Sequence, residues 1–147
     1  MSLTKSILII IGCYIVSVVI ADIAGVLLNS LIDVFAGRRK NTALYYTIWF
    51  VFAIFTGILY VGTAYDYAKK NEFVKNNKWV IVLIAIILTI TAFWVFYTQG
   101  QMQNVSAKED YYVPGNASMT YTFFSTFILA SIFGWYMDRP FLASKKK

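Results

Sequence analysis

Residues 6–35, SILIIIGCYIVSVVIADIAGVLLNSLIDVF, form one apolar run with a single acid, Asp22, in its interior and a second, Asp33, near its end. A helix needs roughly 20 apolar residues to cross the hydrocarbon core of a bilayer, so this run predicts a membrane-crossing helix with length to spare. In lipid the backbone has to satisfy its own hydrogen bonds, which leaves helices and closed barrels. The run is continuous rather than alternating, and that favours the helix. Val19-Ile20-Ala21 has the small-residue character of a signal-peptide cleavage site, but the apolar stretch continues through Ile32, which predicts a retained span.

Three further runs follow, at residues 43–65, 78–98 and 118–137, separated by polar links. The chain is 59% hydrophobic and 14% charged, a balance too apolar for an ordinary soluble domain of 147 residues. The predicted fold is therefore all-α: a four-transmembrane-helix bundle, a single domain over residues 1–147 and an integral membrane protein. Residues 66–77, DYAKKNEFVKNN, read as a short polar connection, and 99–117 as the longest one, with Pro114-Gly115 as a turn. Asp138-Arg139-Pro140 reads as the stop of the fourth span. No internal repeat is evident.

Four spans put both termini on one side, and the basic residues indicate which. Lys5, Lys69, Lys70, Lys75, Lys78, Arg139, Lys145, Lys146 and Lys147 fall on the terminal side, against Arg38, Arg39, Lys40 and Lys108 on the other. This excess predicts cytoplasmic N- and C-termini in a plasma or bacterial inner membrane, with the cluster at 38–40 opposing it. Tyr45, Tyr46, Trp49, Trp94 and Tyr97 are expected to form an outer aromatic belt, and Tyr65, Tyr67, Trp79, Trp135 and Tyr136 an inner one.

Asp22 is the residue that most needs a reason. At about 100° per residue, Asp22, Val26, Asn29 and Asp33 share one narrow arc of the first helix. Beside it runs a stripe of small or short residues, Ser17, Ala21, Gly25 and Asn29. Such a pairing predicts a face turned toward protein rather than lipid, with Asp22, Asn29 and Asp33 as a polar intramembrane face for transport or partner contact. Asp22 then sits neutral and hydrogen-bonded, lines a wet path, or meets a partner. Ala53 with Gly57, and Thr126, Ala130 and Gly134, repeat the four-residue spacing in the second and fourth spans and are expected to pack helices within the bundle.

The composition excludes much chemistry. The chain has no histidine, which removes the usual haem ligands, the usual catalytic zinc sites and histidine acid–base catalysis. Its one cysteine, Cys13, forbids an internal disulfide and reads as a small buried hydrophobe. The hydroxyls Thr120, Thr122, Ser125, Thr126 and Ser131 have no base near them in sequence to activate a nucleophile. No catalytic, cofactor-binding or metal-ligating residue is predicted. A net charge of +6 spread over short links gives no folded basic surface for nucleic acid.

Residues 25–33, GVLLNSLID, loosely resemble the Gly-x-x-Asn-Thr-x-x-Asp region in the first span of the GtrA-like family of four-span proteins linked to moving lipid-carried glucose. Residues 76–80, NNKWV, loosely resemble that family's Asn-Arg/Lys-aromatic stretch, and the likeness covers under about a tenth of the chain. What it implies is movement of a lipid headgroup. From the residues themselves, the expected function is a non-enzymatic accessory or interaction subunit of a membrane assembly. Its partners would be the lipid bilayer and either another membrane protein or a second copy. The alternative is a small transporter, channel or flippase whose polar path is lined by the first helix.

Overall fold

The computed structural model describes residues 1–36, 42–98 and 116–143. Every element there is a helix, and no strand occurs among the described residues: α1 (Leu3–Ala36), α2 (Thr42–Ala68), α3 (Glu72–Asn76), α4 (Trp79–Thr98) and α5 (Asn116–Ala143). Each long helix grows from one of the apolar runs. At 1.5 Å per residue α4 spans about 30 Å, the thickness of a bilayer core, whereas the 34 residues of α1 reach about 50 Å. Two stretches, Leu3–Leu28 and Tyr46–Ala68, are long and apolar enough to cross a membrane, and Trp79–Val95 is apolar over a shorter length.

The polar connection at 66–77 contains the short helix α3, which apolar periodicity could not reveal. Asn71 caps it: its Oδ1 accepts from the backbone N–H of Phe73 and of Val74 at 3.0 and 3.3 Å, satisfying donors that a helix start leaves open. Glu72 in the first turn and Lys75 in the last suit the helix dipole. The Asn71 amide also donates to the Met1 carbonyl at 2.9 Å, tying the start of the chain to this connection. Val74 is fully buried, so α3 plugs the same end of the bundle. At the other extreme α5 runs on through Pro140 to Ala143, beyond the expected stop at 138–140. Proline's fixed φ is helical, and what it removes directly is its own N–H bond.

The helix α2 is the hub. Its largest interface is with α5, followed by α1, while α4 makes smaller contacts with α5, α1 and α2. Gly57 shows why α2 and α5 come so close. A Cβ there would lie 2.8 Å from the Ala130 Cβ and 2.8 Å from the Phe127 carbonyl oxygen, so only glycine allows this separation. The core around this seam is largely aromatic, with Tyr14, Tyr60, Phe123, Phe124 and Phe127 all buried. Tyr14 stands edge-on to Tyr60 and Phe127 at centroid distances of 5.9 and 5.6 Å, a geometry that the ring quadrupoles favour.

Hydroxyls inside the helices are satisfied locally. Thr56, Thr63, Thr91, Ser125 and Ser131 each donate to a carbonyl four residues back, at 2.6–2.9 Å. A Ser or Thr surrounded by apolar groups bonds in this way because no water is there to take the hydroxyl proton.

Candidate functional site

The inward face of α1 consists of Ile10, Tyr14, Ser17, Ala21 and Gly25, spaced four, three, four and four residues apart. Ser17 is 4% exposed and Ala21 fully buried. A Cβ on Gly25 would lie 2.9–3.1 Å from ring carbons of Trp49, so that glycine seats the indole of α2 against α1. Other small residues named from the sequence lie at such seams: Ala53, Gly57, Thr126 and Ala130 are buried, and Gly134 sits beside Ile58 and Val61. These stripes are therefore occupied by helices of the same chain.

Asp22 is on the other side. It follows Ala21 by one residue, which turns it about 100° away from the buried stripe, and its side chain is exposed. Its neighbours along the helix surface, Val19 and Val26, are 48% and 54% exposed. The expectation that the acidic arc points into the bundle is thus corrected for Asp22. The physical reason is steric, because close approach of α1 to α2 selects the small side chains of the neighbouring stripe. Asn29 and Asp33 belong to the helical backbone of α1, and their side chains lie outside the described residues. So do the basic cluster at 38–40, the connection at 99–115 and the terminal lysines.

Between α1, α2 and α4 lies a small hydroxyl network that the sequence reading missed. The Tyr14 and Thr89 hydroxyls share a hydrogen bond of 2.9 Å, and the Tyr60 hydroxyl donates to the Ile81 carbonyl at 2.7 Å. The signal was present in the spacing, since Tyr14 continues the stripe of Ser17, Ala21 and Gly25 inward. Trp49, expected in the outer aromatic belt, instead packs into the bundle edge-on to Phe123 at 5.7 Å. Its indole Nε1–H is buried and finds no acceptor among the described residues. Tyr67, Trp79, Trp94 and Tyr136 are exposed. Tyr65, at the α3 end, receives the Lys78 ammonium over its ring at 4.2 Å.

Among the described residues no three His, Cys, Asp or Glu side chains come together. A groove of about 420 Å³ opens between α4 and α5, lined by Thr89, Phe93, Phe124, Ser125 and further apolar side chains, and no titratable carboxyl or amine borders it. Among the described residues, Asp22 on α1 is an acid in an otherwise apolar outer surface, with Val19, Ile23 and Val26 exposed around it. Comparison with known proteins gave no match to any family model, the GtrA-like one included, nor to any curated protein or solved structure.

Proposed function

We propose that the protein is a small integral membrane protein in which α1, α2, α4 and α5 are the four spans. Both termini are cytoplasmic, and it acts as a non-enzymatic accessory or interaction subunit of a membrane assembly. The observation that carries this reading is the outward position of Asp22. An ionised carboxyl in hydrocarbon costs several kcal/mol unless it is neutralised, wetted or paired. An acid on the outer face of a bundle whose small-residue seams are already filled is best accounted for by a contact outside this chain.

The lipid setting is supported by the exterior, where Leu8, Ile15, Val51, Phe55, Ile90 and Leu129 are all more than half exposed. In water such a surface would aggregate, whereas in lipid it costs nothing. The four-span topology is supported by the bond between Asn71 and the Met1 carbonyl, which groups the N-terminus with the α2–α3 connection, the side carrying the larger number of Lys residues in the sequence. A polar path along α1 is served poorly by this geometry. Asp22 faces away from the interior, and the space between the helices is filled by rings.

Two measurements test the reading. In native membranes solubilised mildly, the protein should migrate as an assembly larger than its monomer, and Asp22→Leu should release the monomer with its fold intact. If the wild type is monomeric, and Asp22→Asn instead lowers proton or cation flux in reconstituted vesicles, the protein is a transporter and the subunit reading is wrong. With Cys13 replaced by Ala, single cysteines introduced at Lys70 and Lys108 should label from opposite faces, and labelling from the same face would overturn the four-span topology.

A further inference from the structure

Resting on the subunit reading, we propose that the outward face of α1 receives a transmembrane helix of a different protein, one that carries a Lys or Arg at the depth of Asp22. Two observations lead there. The first is the pattern of exposed residues. Leu8, Ile15, Val19, Asp22 and Val26 are all exposed, and with Gly12 between them they are spaced four, three, four, three and four residues apart. These steps average 3.6 residues, the repeat of the α-helix itself, so the strip stays on one side of α1 over its length and can lie against a single partner helix. Gly12 has open space where a Cβ would stand, so the strip has a notch as well as ridges. Asp22 therefore occupies a seam position, where a single polar residue fixes register and partner choice.

The second observation is charge. Lys5, on the same helix, is roughly 25 Å from Asp22 along an axis that rises 1.5 Å per residue. Lys69 and Lys70 lie in the α2–α3 connection, Lys75 in α3 and Lys78 just before α4, at the end of the bundle to which the Asn71 bond ties Met1. None of these reaches the level of Asp22, which lies beside the part of α2 just inside Trp49, because Gly25 touches Trp49 and Tyr14 touches Tyr60. A second copy docked by a twofold axis on this face would bring Asp22 against its own twin, acid against acid. A basic residue on a different helix supplies the missing charge, and a lysine or arginine in that position is itself relieved of the cost of lying in hydrocarbon.

The test uses the full chain with Cys13→Ala, donor-labelled at K70C, in phosphatidylcholine vesicles with acceptor-labelled leucine–alanine transmembrane peptides about 22 residues long. One peptide carries a single Lys at the depth of Asp22, a second carries it two turns away, and a third has none. Energy transfer should report association of the first peptide about tenfold or more tighter than that of the other two. D22N should abolish the difference and V19W should block the seam sterically, with tryptophan emission and helix content showing the D22N chain to be folded. Equal association of all three peptides would overturn the proposal. Should donor- and acceptor-labelled copies of the protein associate through a contact that D22N removes, the occupant is a second copy: this proposal fails and the subunit reading survives. Absence of every association sensitive to D22N or V19W defeats both.

Discussion

Gly57→Ala is the substitution whose effect follows most directly from the geometry. The new methyl would stand 2.8 Å from the Ala130 Cβ, 2.8 Å from the Phe127 carbonyl oxygen and 3.3 Å from the Ser131 amide nitrogen. Two of these neighbours are backbone atoms, so no rotamer change relieves the clash, and α2 and α5 must separate by several tenths of an ångström along their whole seam. Overpacking of this kind costs about 1–3 kcal/mol. Against it stands the higher helix propensity of alanine, a gain of up to about 1 kcal/mol. The net expectation is a destabilisation of about 1–2 kcal/mol.

The same exchange at Gly12 or Gly62, where a Cβ meets nothing within 4 Å, retains only the propensity term and should be neutral or stabilising by up to about 1 kcal/mol. Reversible unfolding in mixed micelles, followed by tryptophan emission and helix content, measures all three variants on one scale. A Gly57→Ala protein as stable as the wild type, or a loss at Gly62 equal to that at Gly57, would refute the argument that α2 and α5 are held at a glycine-limited distance.

Two other perturbations separate the inner and outer faces. Tyr14→Phe and Thr89→Val each break the 2.9 Å hydroxyl contact, so in a double-mutant cycle they should show a coupling of about 0.5–1.5 kcal/mol, and additive losses would place the two hydroxyls apart. Ser17→Leu puts a large side chain into the buried stripe of α1 and should cost about 1–3 kcal/mol, whereas Asp22→Leu, on the exposed face, should leave unfolding of the isolated chain within about 0.5 kcal/mol of wild type. A comparable loss from both would mean that Asp22 packs inward.

The long helices were legible because an apolar run of membrane length has few other folds open to it. The helix seams were legible too, since Gly25, Gly57 and Ala130 are small where backbones must meet. What misled was the acid. A polar side chain within a span is expected to face protein, yet Val19, Ile23 and Val26 around Asp22 are large or β-branched, which marks the arc as one that a close α1–α2 contact would reject. The direction of α1 was therefore written in the small residues rather than in the charged one. The Tyr14–Tyr60–Phe127 cluster was legible only in part: the small-residue stripe leads to Tyr14, but aromatic rings serve headgroup belts and cores equally, so nothing in the spacing names its partners. The helix α3, five residues long, depends on a cap and one buried valine, which no period in the chain announces.

The pairing of α2 with α5 bears on how the protein is made. Helices leave the ribosome in order, so α2 is made before α5 exists, and the Gly57 notch and the buried side of Tyr60 stay uncovered until α5 follows. A nascent chain arrested before residue 116 consequently lacks the whole partner of its central helix. Truncation before α5 therefore leaves an unclosed intermediate, with the central seam of the bundle exposed.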